Sequence, residues 1–114
     1  MKTFIILVCA ALATQVFAAD RKPSVENGRK LYTAVGCYQC HGYAGQGGAA
    51  GLRLAPDPLP LDALLTFIRN TEKQMPPYPA SILPDADVAD IHAYLQSLPA
   101  ARKAASIPML RDLK

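Results

Sequence analysis

A chain of 114 residues, 51% of them hydrophobic, has room for one small domain and little apolar surface to spare for a self-sufficient core. Its formal net charge of +3 is close to balance and argues against a nucleic-acid-binding protein. One of its three cysteines, Cys9, lies in the opening segment, and the remaining two exclude a scaffold of several disulfides.

The first 18 residues have the pattern of a secretory signal peptide. Lys2 precedes an apolar run over 4–13, and Val16 and Ala18 stand at the small-residue positions before a predicted cleavage site. Because the run is shorter than the roughly 20 apolar residues of a membrane span, we predict an exported, periplasmic chain that begins at Ala19 and has no membrane span. We divide the chain into a signal peptide (1–18), a domain (19–98) and a C-terminal extension (99–114).

Two helices are predicted in the first part of the mature chain. One follows Ser24, a typical N-cap residue, and ends near Gly36. The other begins at Leu61, after three prolines that forbid regular structure, and ends at about Asn70. The segment 43–51 between them is rich in glycine and predicts a flexible surface loop.

A third helix is predicted from about Pro84, placed in its first turn, to Leu98. Its apolar residues recur at helical spacing. They are Val88, Ile91, Tyr94, Leu95 and Leu98. The apolar patch 107–110 in the extension is expected to pack back on the domain, and no segment alternates as strands do. The sequence therefore predicts an all-α fold.

The segment VGCYQCHG carries the chemistry of the chain. On the first turn of a helix, the thiols of Cys37 and Cys40 point the same way and can add across the two vinyl groups of one haem, with His41 under the iron. A redox-active pair of the thioredoxin kind would need a preceding strand. A zinc site would need a further ligand, for which His92 is the candidate outside the motif. Haem is favoured, and it would staple a core too small to stand alone.

The mature chain resembles the small class I cytochromes c of bacteria, from NGRKLY through CYQCH to ADIHAYLQSLP. The resemblance implies a small cytochrome c fold, with three to four helices wrapped around one covalently attached haem c. It implies haem thioethers at Cys37 and Cys40, His41 as the proximal iron ligand and Met75, on a later loop, as the distal ligand.

Two other side chains are alternatives for the distal position. Met109 lies near the end of the extension, whereas Met75 lies in the proline-stiffened loop QMPPYP between two helices. His92 would make the iron bis-histidine, but it falls off the apolar stripe of the last helix and is interpreted as exposed. Met75 is therefore the predicted ligand.

The chain departs from the family after the motif. Family members commonly have Gly-Pro-x-Leu, with the proline carbonyl accepting the second N–H of the proximal histidine, where this chain has Gly51, Leu52, Arg53 and Leu54. Any residue has a carbonyl, so we expect Leu52 to serve His41. We place Leu52, Arg53 and Leu54 in the haem surroundings.

Two further expectations concern side chains around these elements. The resemblance implies that the first and last helices cross at Gly28 and Tyr94, the glycine admitting an aromatic ring. Tyr43, Arg53 and Arg69 are candidates for binding the haem propionates, although a solvated surface role fits each of them equally well.

The predicted function is single-electron transfer by a periplasmic monohaem protein that is not an enzyme, since histidine and methionine leave the iron no open position. Its partners would be a donor dehydrogenase and an acceptor cytochrome or oxidase. One alternative is a haem c subunit held permanently in a dehydrogenase or oxidase complex, with 99–114 as the segment that holds the partner. A gas-binding or peroxidase-like haem protein is another, and it would require a labile Met75 bond.

Overall fold

The computed structural model describes residues 21–111, and every regular element within them is helical. The α-helices are α1 (Val25–Ala34), α2 (Cys37–His41), α3 (Leu61–Asn70) and α4 (Asp85–Ser97). Two 3₁₀ turns follow, Ala104–Ser106 and Pro108–Leu110. The all-α fold class is confirmed. The predicted signal peptide, 1–18, lies outside the described residues.

The helix ends follow from local chemistry. The Ser24 hydroxyl accepts a hydrogen bond from the Asn27 backbone N–H at 3.2 Å, as expected of an N-cap. Pro84 is the residue before α4 rather than in its first turn, because its ψ of 155° is extended. The last helix therefore begins within one residue of its predicted approximate start, the usual uncertainty of a helix end.

Helices α1 and α4 cross in close contact. A Cβ on Gly28 would lie 1.9 Å from the carbonyl oxygen of Asp90, so the α4 backbone occupies the space that a side chain would need. The rings of Tyr32 and Tyr94 pack beside this crossing with centroids 5.5 Å apart. The crossing is present, but Gly28 admits a peptide group of α4 where the resemblance implied an aromatic ring.

Within residues 21–111 the core consists of eight buried hydrophobic residues. They are Tyr32, Ala55, Ile68, Leu83, Val88, Ile91, Tyr94 and Leu95. The predicted apolar stripe of α4 is buried except at Leu98, which is half-buried. So small a core is consistent with the need for an added staple.

Asp90 on α4 is fully buried, with 0% of its surface exposed. Its Oδ1 accepts from the Ser24 backbone N–H at 2.7 Å, and its Oδ2 accepts from Arg21 Nη2 at 2.8 Å and Asn27 Nδ2 at 2.7 Å. Burial raises the pKa of this carboxyl, but the three donors outweigh it and the pKa lies below its usual value. Asp90 thus fastens the start of α1 to α4.

We expect Asp90→Asn to destabilise the protein at pH 7. The three hydrogen-bonding neighbours of Asp90 are all donors, so the amide NH₂ of asparagine would face a donor. We expect the free energy of unfolding to fall by about 2 kcal/mol. The pKa of Asp90 is lower in the folded protein than its value of about 4 in the unfolded chain. The wild-type protein is therefore more stable than the variant above about pH 4, and this difference in the free energy of unfolding disappears as the pH falls through the pKa of the folded state. Urea unfolding of the haem-loaded protein at pH 7 and pH 3 measures both effects.

Asp62→Asn is the control for Asp90→Asn. Asp62 is exposed in the first turn of α3, and its replacement changes the free energy of unfolding by less than about 0.5 kcal/mol. If Asp90→Asn were as stable as Asp62→Asn at pH 7, the role of Asp90 in fastening the start of α1 to α4 would be contradicted.

The two 3₁₀ turns of the C-terminal extension, which is described as far as residue 111, do not contact the α-helices of the domain. The side chain of Met109 is 87% exposed, and of the patch 107–110 only Ile107 is half-buried. The prediction that this patch packs back is wrong, because a 3₁₀ turn of three residues presents no continuous apolar face. Within 21–111 no helix is long and apolar enough to cross a membrane.

Candidate functional site

A cavity of about 1280 Å³ opens between α2, α3, α4 and the loops that connect them. Its floor is apolar and buried, formed by Tyr32, Ile68, Leu83, Val88, Ile91 and Leu95. Exposed residues form its rim, among them Cys40, Leu52, Arg53 and Leu59. The cavity therefore has a dry interior and one edge in solvent.

Helix α2 supplies the reactive side chains of one wall. Gly36 precedes it with a φ of 83°, a left-handed conformation that suits glycine and turns the chain from α1 into α2. Cys37, Cys40 and His41 then all line the cavity. The structure thus brings the predicted thiols and imidazole to one surface.

The His41 ring is oriented from behind. Its Nδ1 lies 2.7 Å from the carbonyl oxygen of Leu52, and because a carbonyl only accepts, Nδ1 carries the proton. That tautomer leaves Nε2 with a lone pair for a metal. A Cβ on Gly51 would lie 2.9 Å from Nδ1, so glycine is needed for this approach. Leu52 makes the contact expected of it.

Residues 43–51, predicted to be a flexible surface loop, are held by backbone hydrogen bonds. Gly47 N–H donates to the His41 carbonyl at 2.8 Å, and Leu54 N–H donates to the Gly45 carbonyl at 2.8 Å. The loop returns the chain to the cavity, where Leu52, Arg53 and Leu54 are all in the lining. Gly45 and Gly47 provide positive φ angles in this bonded turn rather than freedom of movement.

Met75 also lines the cavity, on the loop between α3 and α4. It is half-buried, and the buried Thr71 hydroxyl donates to its carbonyl at 3.3 Å. Met109 and His92, the other distal candidates, are outside the lining. His92 is half-buried rather than exposed, with Nε2 3.0 Å from the Leu59 carbonyl oxygen.

Three tyrosine hydroxyls hold the chain on either side of the motif, a feature that the sequence analysis missed. Tyr78 donates to the carbonyl of Val35 at 2.9 Å, before the motif. After the motif, Tyr32 donates to the carbonyl of Gly42 at 2.7 Å, and Tyr94 donates to the carbonyl of Tyr43 at 3.0 Å. Burial raises the pKa of Tyr32 and of Tyr78. The phenols of Tyr32 and Tyr78 therefore stay protonated and act as donors.

The candidates for binding propionates fare differently. Arg53 lines the rim of the cavity. Tyr43 lies outside the lining, 70% exposed and stacked on Tyr38 with centroids 4.6 Å apart. Arg69 is also outside it and is paired with Asp85, so the expectation for Arg69 is wrong.

The rival uses of the motif are not supported. Residues 21–111 contain no strand to precede a thioredoxin-like pair, and burial raises the pKa of Cys37 to about 11, whereas a reactive thiol needs a lowered pKa. No group of three or more histidine, cysteine or acidic side chains in this part of the chain is arranged to hold a bare metal ion.

The residues present fit a covalently bound haem. Two thiols and an imidazole with an available Nε2 lie on one wall of an apolar cavity, and a thioether sulfur lies in its lining on a separate loop. The cavity is larger than the about 300–1,000 Å³ of most small-molecule pockets, as a macrocycle requires.

Comparisons with known proteins agree with this fit. A family model described as cytochrome c oxidase, cbb3-type, subunit III matches residues 23–95, more than half of the chain. Cytochrome c-555 of Methylococcus capsulatus is 29% identical over 92 residues, which cover 79% of this chain and 75% of that protein. No solved structure matches the chain significantly.

Proposed function

Since the chain belongs to the class I c-type cytochromes, electron-transfer proteins with covalently bound haem c, we propose that Cys37 and Cys40 form its thioethers and that His41 and Met75 ligate its iron. The observation that carries the proposal is that the motif on α2 and a methionine on a separate loop line the same apolar cavity. The family points to electron transfer rather than to an enzyme.

The bound haem supplies a reversible one-electron couple between ferric and ferrous iron. The chain supplies the surroundings that tune it. Leu52 orients the His41 ring, and the floor of buried aliphatic side chains excludes water. The rim at Cys40 and Arg53 leaves one edge accessible to a docking protein. With two protein ligands no substrate position remains, which suits a carrier.

We further propose export to the periplasm and exchange of electrons between a donor dehydrogenase and an acceptor cytochrome or oxidase. A second candidate is a haem c subunit held permanently in an oxidase or dehydrogenase complex. The matching family is described as an oxidase subunit, and this description and the exposed Met109 in the extension favour the second candidate. Co-purification at high salt would distinguish an obligate partner from a transient electrostatic one.

Replacement of Met75 tests the ligand assignment. The wild-type protein, exported with haem-attachment machinery, should give a low-spin spectrum with a weak iron–methionine charge-transfer band. In Met75→Ala the band should vanish, and the reduced protein should bind carbon monoxide because one axial position is open. Optical spectra of both redox states measure this.

Met109→Ala is the matched control, because Met109 is exposed and lies outside the cavity lining. Its spectrum should equal that of the wild type. A charge-transfer band that survives Met75→Ala would overturn the assignment, and a high-spin wild-type spectrum would favour a gas-binding or peroxidase-like protein.

A further inference from the structure

The loop that carries Met75 is fastened at its base by a buried hydroxyl. Thr71 has 7% of its surface exposed, and its Oγ1 accepts from Lys73 N–H at 3.5 Å besides donating to the Met75 carbonyl. These contacts shape the turn of the loop. The Thr71 contacts lie on the α3 side of the cavity. They therefore do not fix the distance between Met75 and α2 on the opposite wall.

Tyr78, three residues after Met75, connects the loop to both sides of the cavity. Its backbone N–H donates to the Ile68 carbonyl at 2.8 Å, and its own carbonyl accepts from Arg69 Nη1. Arg69 Nη2 in turn pairs with Asp85 at the start of α4. The backbone of Tyr78 is therefore fixed to α3 and, through Arg69, to α4.

The phenol of Tyr78 reaches the opposite wall. It lines the cavity and donates to the Val35 carbonyl at 2.9 Å. Val35 is the residue after α1 and stands two positions before Cys37, so its carbonyl lies where the helical hydrogen-bond pattern has ended. The bond joins residues 43 positions apart. One side chain thus spans from the Met75 loop to the entrance of the haem-attachment motif.

We propose that Tyr78 is a positioning residue that holds the Met75 loop at a set distance from α2 through its hydroxyl, and so keeps the Met75 sulfur on the haem iron. The inference rests on the proposed ligation by His41 and Met75. Burial of the phenol, which raises its pKa, keeps it a donor through the neutral range. Without the hydroxyl, the loop keeps its α3 contacts and loses its connection across the cavity.

The test is the affinity of the ferric haem-loaded protein for imidazole, which competes with methionine for the distal position. Tyr78→Phe keeps the ring and removes the hydrogen bond. We expect the imidazole association constant to rise about fivefold, the equivalent of one net hydrogen bond of about 1 kcal/mol. The pH at which the iron–methionine band is half lost should also fall below the wild-type value.

Tyr94→Phe is the matched control. It also removes a bond from a buried phenol to a backbone carbonyl near the motif, but the acceptor is Tyr43, which follows the motif, and neither residue lines the cavity. We expect it to lower the melting temperature and to leave imidazole affinity within about twofold. If Tyr78→Phe lowers the melting temperature alone, with wild-type imidazole affinity and pH midpoint, its role is merely structural and the proposal is overturned.

Two further results keep the test decisive. If Tyr78→Phe fails to accumulate with haem, replacement of Tyr78 by 3-fluorotyrosine decides, because it keeps the ring and makes the hydroxyl a stronger donor to the Val35 carbonyl. A lowered imidazole association constant in that variant supports the proposal, and an unchanged one overturns it. A wild-type protein without an iron–methionine band refutes the proposed ligation itself, a result distinct from a wild-type band that Tyr78→Phe leaves untouched.

Discussion

We expect the double variant Cys37→Ala/Cys40→Ala to lose its haem and its cooperative fold together. Six of the eight buried hydrophobic residues also line the cavity, so most of the core faces the space that the haem fills. Without haem these apolar side chains lose the group that covers them, and the lost burial would cancel much of the about 5–15 kcal/mol that stabilises a domain.

The measurement is a haem-stained denaturing gel, followed by far-ultraviolet circular dichroism during urea unfolding. The double variant should show no covalent haem, reduced helix content and no cooperative transition. Met75→Ala is the control, since it removes a proposed ligand and leaves both thiols in place. It should keep the haem stain and a cooperative transition. A double variant with native helix content and a sharp transition would show that the core closes without haem.

The helices could be predicted from the sequence because their signals are local. A capping serine, apolar residues at helical spacing and flanking prolines defined α1, α3 and α4 to within about one or two residues, the usual uncertainty of a helix end. Cys37, Cys40 and His41 were expected on the first turn of a helix, and they lie on the five-residue helix α2. These features depend on neighbours within one or two turns.

The side chains that organise the site could not be predicted in this way. The sequence around Asp90 does not indicate its donors, because Ser24 and Arg21 are 66 and 69 residues away along the chain. The bond from Tyr78 to the Val35 carbonyl has no sequence signature either, because every residue has a carbonyl. Such contacts follow from how the helices pack, which periodicity does not specify.

The extension shows the opposite error, in which composition suggested a contact that the fold does not make. The apolar residues 107–110 were expected to pack on the domain, but the side chain of Met109 is 87% exposed. Burial needs a partner surface as well as an apolar residue. Six of the eight buried hydrophobic residues already line the cavity, where the haem would cover them.

We expect Gly28→Ala to destabilise the folded protein by about 2 kcal/mol or more, although alanine is the better helix former by about 1 kcal/mol. The added Cβ would lie 1.9 Å from the Asp90 carbonyl oxygen and 2.9 Å from the backbone nitrogen of Ile91. Both are backbone atoms inside α4, so no side chain can swing away and the two helices must separate. The clash outweighs the propensity, and urea unfolding measures the difference.

Gly48→Ala decides whether the effect of Gly28→Ala comes from the helix crossing. The same change at Gly48 places a Cβ 3.7 Å from the Cys40 carbonyl oxygen, an ordinary van der Waals contact, and should alter stability by less than about 0.5 kcal/mol. Separation of α1 from α4 also strains the contacts of Tyr32, whose hydroxyl holds the Gly42 carbonyl behind the motif. Gly28→Ala should therefore loosen the backbone that follows the haem-attachment motif and also lower the free energy of unfolding. A Gly28→Ala variant as stable as Gly48→Ala would mean that α1 and α4 separate at little cost.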